Sequence, residues 1–483
     1  MELVIAIVLP FLAVLACAWI RFKPKFNLRP MPVLALATVL VGSVLGHEFF
    51  NMPAGPIPIT LDRLLFGAML ALFGLLFFLG REDLRAFNFA DWTIIALITV
   101  ISCSTITHDF RFLKNMPASR LLFFNLMPVG LYMVLKTSKL KAGDLKFIAV
   151  GFGLFGLYLA CTGIAEVKEF TAVIFPKYIM NSESVEFLGR GRGPFLNPVS
   201  NGVFQIVCFC CLLMWWPRSN NITKLLLIVS ALVISVGVYA TLTRSVWISL
   251  IAACGLFIWL PSSRQAKGAM IVLVTLLAVI AIPFSENFVS FKRDKDVSLA
   301  DMQRSADLRP LFVLVAWDMF QDQPITGVGF GQYAREKYPY LQNPHTNKPL
   351  YLTKTFMQHN VFLAYVTETG LIGLACLLAM LGMILRVSWR VWRDSSLDLW
   401  ARQFGLANLV LLGCYVINGM FHDVSILPMQ HMLLFFMFGL VNNIYSKSSE
   451  FKTDEQAVPA NSVDQPVSNV ADLPNSGAAP VGC

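Results

Sequence analysis

Charged residues are scarce in this sequence. Asp, Glu, Lys and Arg make up 14% of the 483 residues, and 56% of the chain is hydrophobic. A soluble globular chain carries roughly a quarter charged residues. The apolar residues occur in runs of about 16–25, the length at which a helix crosses a bilayer. The composition therefore excludes a soluble globular fold and predicts an all-α fold, a polytopic bundle of transmembrane helices.

Cysteine is nearly absent from the polar segments. Nine of the ten cysteines lie in apolar runs, and the tenth, Cys483, is the last residue. Neither a disulfide framework nor a prenylation motif is therefore predicted. Cys208, Cys210 and Cys211 have no His or further Cys nearby at metal-ligand spacing. We interpret them as small residues of a membrane helix, and we expect neither a metal nor another cofactor.

Nucleic-acid-binding motifs are absent as well, although the net charge is +9. One set of short connections carries 18 Lys and Arg: 21–30, 81–90, 136–146, 217–224, 261–268 and 386–402. The connections that alternate with them carry 9: 47–63, 107–120, 166–200, 243–245 and 421–427. Because cytoplasmic loops are enriched in basic residues, the first set is predicted to face the cytoplasm. We therefore expect membrane lipids and no nucleic acid as partners, and an outer face that is the periplasm if the host is a diderm bacterium.

Thirteen apolar segments are predicted to span the membrane: 3–20, 31–46, 61–80, 91–106, 120–135, 147–165, 201–216, 224–242, 245–260, 268–284, 360–385, 403–420 and 427–445. The number becomes twelve if 31–46 or 91–106 is re-entrant. Basic residues follow 3–20 instead of preceding it, which argues against a cleavable signal peptide.

The spans divide the chain into four predicted regions. Residues 1–284 form an N-terminal transmembrane bundle, 285–359 a large extracytoplasmic loop containing short helices, and 360–445 the C-terminal transmembrane helices. The segment 446–483 is rich in Pro, Ser, Asn and Asp and poor in large apolar residues. It cannot bury enough apolar surface to order itself, so we predict a disordered cytoplasmic tail.

A His–Asn pair lies where the large polar loop becomes apolar. A neutral imidazole at His359 could take a proton from an acceptor hydroxyl, and Asn360 could cap the following helix. The alternative is an interfacial histidine without a role. Glu368 lies nine residues further along, about 13 Å deeper and on the opposite helix face. We expect Glu368 to be a structural hydrogen-bond partner and not the group that orients His359.

Several arginines fall on the predicted outer side. Arg244 lies between two apolar spans, against the positive-inside bias. Its guanidinium could hold a pyrophosphate bidentately or extend to lipid headgroups. Arg190 and Arg192 belong to a Gly-rich stretch, and Arg304 and Arg309 to the large loop. These four could contact the same anion, or they could be parts of an ordinary turn and a solvated charged face.

The large loop contains two further features. The apolar run 311–320 is too short to span a bilayer and predicts an interfacial or buried helix. The glycines of 327–331 do not have the spacing of a dinucleotide-binding motif, and no βαβ pattern surrounds them. We predict a tight turn after the short helix.

Three motifs occur in order along the chain: Thr241–Trp247 with Arg244, the segment from Arg304 to Gly331 that ends in Pro-Ile-Thr-Gly-Val-Gly-Phe-Gly, and His359-Asn360 followed by Thr-Gly-Leu-Ile-Gly at 369–373. With many spans, one large outer loop and three spans after it, the sequence resembles the O-antigen ligase and O-antigen polymerase superfamily of bacterial membrane glycosyltransferases. The resemblance is most specific over about 225–385. The N-terminal half resembles the family only in hydropathy.

The resemblance implies a metal-independent transferase at the periplasmic face. Its donor would be a saccharide on undecaprenyl or a similar polyprenyl pyrophosphate, and its acceptor a hydroxyl of a second glycan such as lipid A–core. His359 would be the base and Arg244 would grip the pyrophosphate, with Arg304 and Arg309 where the family has loop arginines. Three branches stay open: a ligase of lipopolysaccharide biosynthesis, a repeat-unit polymerase for O-antigen or exopolysaccharide, and a protein O-glycosylation enzyme.

A transporter or flippase of lipid-linked glycans is the alternative from another class. Such a protein would have charged or Gly/Pro-interrupted helices at the bilayer midplane. In this sequence the polar residues gather instead at the outer ends of the spans, which favours an enzyme.

Overall fold

The computed structural model describes residues 28–53, 58–82, 86–111, 117–181, 187–260, 264–265, 267–268, 271, 299–342 and 348–452. The predicted span 3–20, nearly all of 268–284 and the tail beyond 452 lie outside the described residues. The predicted division at 284, 359 and 445 therefore stays a prediction.

The described residues form a helical bundle with one short β-ribbon, which confirms the predicted fold class. The membrane bundle contains, in chain order, α1 (Pro30–Val44), α2 (Leu61–Phe78), α3 (Phe89–Thr107), α4 (Pro117–Thr137), α5 (Ala142–Val167), α6 (Pro198–Leu213), α7 (Asn221–Ala240) and α8 (Arg244–Trp259). Further along the chain come α9 (Leu299–Asp322), α10 (Tyr333–Glu336), α11 (Val361–Arg393), α12 (Leu399–Gly419) and α13 (Pro428–Ser446). The ribbon pairs β1 (Asn51–Met52) with β2 (Ile59–Thr60) in antiparallel fashion.

Eight helices of the described part are long and apolar enough to cross a membrane: α2 to α7, with α6 extended to Arg218, and α11 and α12. The predicted spans 31–46 and 245–260 correspond to the shorter apolar helices α1 and α8. The predicted span 427–445 is α13, whose residues are buried almost throughout. Every predicted span within the described residues is thus a helix, although α11 continues to Arg393, beyond its predicted end at 385.

Helix α13 is held in the bundle centre by polar contacts. Asn443 donates from Nδ2 to the carbonyls of Leu135 (2.7 Å) and Ser138 (2.6 Å) at the end of α4. Asn442 donates to the Tyr132 hydroxyl at 2.6 Å. Helices in a membrane gain little from burying apolar surface, so close packing and interhelical hydrogen bonds of this kind hold them together.

The large polar loop between α8 and α11 has a small apolar core of its own. Helix α9 is not among the apolar spans, in agreement with the interfacial or buried helix predicted at 311–320. It packs against α11 and against the 3-10 helices Tyr338–Gln342 and Leu350–Thr353. The buried residues of this core are Leu308, Leu311, Phe312, Val315, Met319, Val328, Tyr333, Leu341 and Leu350. The loop is therefore a packed cap on one end of the bundle.

The segment Pro324–Gly331, here called the strap, fastens this cap to the bundle. Helix α11 is broken at Gly370, whose φ of 64° and ψ of −163° are not helical. The break frees the carbonyls of Thr367 and Glu368, which accept from the N–H groups of Val328 (2.9 Å) and Gly329 (3.0 Å). The Leu371 N–H donates in return to the Pro324 carbonyl at 2.9 Å. The strap thus satisfies backbone groups that a membrane helix cannot leave exposed to lipid.

The strap can adopt this path because of its glycines. Gly327, Gly329 and Gly331 have φ values of 69°, 107° and 77°, a region that is unfavourable for residues with a Cβ. The turn predicted at 327–331 is therefore present. A Cβ at Gly327 would also lie 2.6 Å from the backbone of α11, so glycine is required for the close approach as well as for the backbone angle.

Candidate active site

His359 lies at the end of the cap, immediately before α11, and its neighbours are fixed on both sides. Gln358 donates from Nε2 to the Thr367 hydroxyl at 3.1 Å. Asn360 caps α11, because its Oδ1 accepts from the N–H groups of Phe362 (2.9 Å) and Leu363 (3.0 Å). His359 itself has a φ of 51°, a left-handed conformation that is uncommon outside glycine and worth attention at a functional site.

The imidazole packs against two phenylalanine rings, whose centroids are themselves 6.1 Å apart. Its centroid is 5.3 Å from that of Phe312 on α9 and 6.2 Å from that of Phe356, and the residue keeps an exposed surface. Partial burial lowers the pKa of His359, and the positive charges of Arg309 and Lys337 lower it further. The imidazole is therefore held in its neutral form at neutral pH, the form that can accept a proton.

Arg309 lies close enough to both His359 and Arg244 for electrostatic interaction with each of them. Partial burial lowers the pKa of Arg309, and the charge of Arg244 at the start of α8 lowers it further. The Arg309 guanidinium carbon also lies 5.1 Å from the ring centroid of Phe421, in the turn after α12. Two guanidinium groups repel each other in the absence of negative charge, so their proximity suits a site for a multiply charged anion.

The two arginines of the Gly-rich stretch have different environments. Arg192 is completely buried, and its Nε lies 3.0 Å from Glu166 Oε1 on α5. It also donates to the Ile179 carbonyl at 2.7 Å. Arg190 is half-buried beside Phe187. The structure thus encloses Arg192 in the bundle and leaves Arg190 nearer the surface.

The Gly-rich stretch touches the chain that leads to Arg244. The Gly191 N–H donates to the carbonyl of Ala240, the last residue of α7, at 2.8 Å. Asn201 on α6 donates from Nδ2 to the Gly191 carbonyl at 2.8 Å. Arg190 is therefore held near the start of α8. Arg304 lies in α9, but its side chain is outside the described part of the structure.

We expect Arg192→Met to destabilise the protein, because it would leave the buried Glu166 carboxylate without its cation. Removal of one member of a buried ion pair costs about 3–5 kcal/mol. The Arg190→Met variant is the matched control and should unfold like the unmodified protein. Thermal unfolding of both variants in detergent checks the expectation, and equal midpoints would contradict the structural role of Arg192.

Arg120 belongs to none of the sequence motifs described above, yet the fold brings it to Glu368. The NH1 atom of Arg120 lies 3.3 Å from Glu368 Oε1, and both side chains are buried. The other carboxylate oxygen accepts from the Gly331 N–H at 2.9 Å, and the Arg120 guanidinium carbon is 4.8 Å from the Phe330 ring centroid. Glu368 is thus a hydrogen-bond partner of the strap and of α4. The sequence feature that could have indicated this pair is the position of Arg120 at the edge of the span predicted at 120–135, because ionisable residues in membrane segments usually pair inside the bundle.

Asp423 is a second acidic side chain near this pair. It lies in the turn between α12 and α13, is 5% exposed, and its Oδ1 accepts from the N–H (3.1 Å) and hydroxyl (2.5 Å) of Ser425. Burial raises the pKa of Asp423, and the charge of Arg120 opposes that shift. No motif in the sequence links Asp423 with Arg120, and the two residues belong to different helical hairpins.

Comparison with known proteins gives two matches. Residues 228–378 match the family described as O-antigen ligase; this range contains Arg244, Arg309, His359 and the strap. The chain is also similar to the curated O-antigen ligase of Salmonella typhimurium, with 25% identity over 321 residues. That alignment covers 61% of this chain and 76% of the relative.

Proposed function

Because the chain belongs to the O-antigen ligase superfamily, we propose that it transfers a saccharide from a polyprenyl-pyrophosphate donor to a hydroxyl of a second glycan. The observation that carries this proposal is the proximity of Arg244, Arg309 and His359. The charge of Arg244 acts on Arg309, and that of Arg309 acts on His359. These three groups from separate parts of the chain support an anion site beside a neutral base.

The proposed reaction uses His359 as general base and the arginines as the counter-charge. The imidazole removes the proton of the acceptor hydroxyl as that oxygen attacks the anomeric carbon of the donor. A new glycosidic bond forms while the bond from the anomeric carbon to the pyrophosphate oxygen breaks. The leaving polyprenyl pyrophosphate takes the electron pair, and Arg244 and Arg309 neutralise its charge. The guanidinium groups supply positive charge without a metal ion.

We place this chemistry at the periplasmic face of the inner membrane. Arg244, His359 and the Phe421–Asp423 turn all lie at the bundle end whose connections carry fewer Lys and Arg. A polyprenyl chain would remain in the bilayer while its pyrophosphate reached the arginines. The curated relative is named O-antigen ligase, so we favour a glycan acceptor such as lipid A–core. A repeat-unit polymerase would need the same base and anion site.

The test is glycan transfer by a null strain that produces Arg244→Ala or Arg309→Ala at matched membrane levels. We expect each change to lower transfer about 10²–10³-fold, as the loss of a transition-state charge partner does. Arg335→Ala is the control, because Arg335 is an exposed cap residue whose NH1 pairs with Asp109 at 3.1 Å.

The products identify the reaction. Accumulation of long lipid-linked chains that are not attached to lipid A–core supports a ligase, whereas loss of everything beyond a single repeat unit indicates a polymerase. Transfer at the unmodified rate in both arginine variants would refute the anion site.

A further inference from the structure

We propose that Lys337 is a positioning residue for the transfer reaction: it fixes the segment that ends at His359 and places a positive charge beside the imidazole. The inference rests on the proposed function, since it takes His359 as the base. Lys337 follows α10 in the cap and is only 2% exposed. Nothing in its local sequence distinguishes it from the other lysines of the large loop.

Both hydrogen bonds that the Lys337 ammonium donates go to the chain segment that leads to His359. Its Nζ donates to the carbonyl of Thr353 at 3.1 Å and to the carbonyl of Phe356. Thr353 ends the 3-10 helix of 350–353. The Phe356 ring lies beside the imidazole, with the two centroids 6.2 Å apart. One ammonium group thus binds two backbone carbonyls in the segment 353–359, which ends at His359.

A buried lysine is ordinarily paired with a carboxylate. Among the described residues, no carboxylate forms an ion pair with Lys337, and burial alone lowers its pKa, to about 8. The nearest aromatic group is Tyr333, whose ring centroid is 5.2 Å from Nζ. At neutral pH the ammonium is therefore charged for most of the time, and its charge is not cancelled locally.

That charge acts on His359 in a definite direction. A neighbouring cation disfavours the imidazolium form and so lowers the pKa of the imidazole. Among the described residues, the groups that face His359 are the Phe312 and Phe356 rings, Arg309 from α9 and Lys337 from the end of α10. Arg309 is engaged with the donor site, so Lys337 is the cation that keeps His359 neutral whether or not a substrate pyrophosphate is bound.

The experiment compares Lys337→Gln with Lys337→Arg in the full-length protein in nanodiscs. Gln keeps a donor for the loop carbonyls but removes the charge, whereas Arg keeps the charge. Without the cation the imidazolium is easier to form, so the acidic limb of kcat/KM should move to higher pH in Lys337→Gln. We expect this variant to lose about threefold more activity at pH 6 than at pH 8, while Lys337→Arg keeps the unmodified limb.

A purely structural role would lower activity by the same factor at every pH, and this outcome would overturn the proposal. The second measurement needs no activity: diethyl pyrocarbonate acylates a histidine in its neutral form and not as imidazolium, and mass spectrometry follows each histidine separately. In Lys337→Gln the titration midpoint of His359 should rise, and the exposed His47 serves as the internal reference for reagent reactivity. An unchanged His359 midpoint refutes the inference, whereas full activity of a protein without His359 refutes the proposed function instead.

Discussion

Replacement of His359 by Asn should abolish saccharide transfer while the protein stays folded and inserted. Loss of a general base costs about 10²–10⁴-fold in rate. Asn is preferable to Ala here because His359 has a φ of 51°, and Asn tolerates the left-handed region better than most residues. The variant thus removes the base without adding backbone strain.

The measurement is transfer of a lipid-linked glycan by purified protein, at saturating donor and at several pH values. His47→Asn is the control, because His47 is exposed in the connection between α1 and β1 and contacts Asn51 at 2.9 Å. We expect His359→Asn to retain donor binding, since Arg244 and Arg309 are unchanged. Transfer by His359→Asn within a few-fold of the unmodified rate would remove His359 from the mechanism.

Gly370→Ala should disconnect the cap from the bundle. A Cβ at Gly370 would lie 2.2 Å from the Ile325 carbonyl oxygen, and a φ of 64° with a ψ of −163° is accessible essentially to glycine alone. We expect a loss of about 3 kcal/mol or more in stability, from backbone strain and from the strap hydrogen bonds together. Transfer should fall as well, because the strap follows the helix that carries Arg309.

The matched control lies in the same helix. A Cβ at Gly382 would meet no atom within 4 Å, so Gly382→Ala should be neutral or stabilise α11 by up to about 1 kcal/mol. Thermal unfolding in detergent and limited proteolysis of the cap measure the two effects. Equal unfolding midpoints and equal cleavage of the two variants would show that the strap does not hold the cap.

The membrane architecture and the local conformation around His359 could be predicted from the amino-acid sequence. Apolar runs of spanning length become helices because the bilayer leaves a backbone few other ways to satisfy its hydrogen bonds. The N-cap at Asn360 and the glycine turn at 327–331 are also local, since a capping side chain and a positive φ depend on one residue and its immediate neighbours.

Which charged groups contact each other could not be predicted from the sequence, because it depends on how distant segments pack. Arg190 and Arg192 are equivalent in the sequence, yet Arg192 is enclosed with Glu166. Arg120 reaches Glu368 across 248 residues, and Lys337 reaches the carbonyls before His359 from another part of the cap. Residue spacing sets which side of one helix a group occupies. The packing of separate helices sets which group it faces, and that depends on contacts distant in sequence.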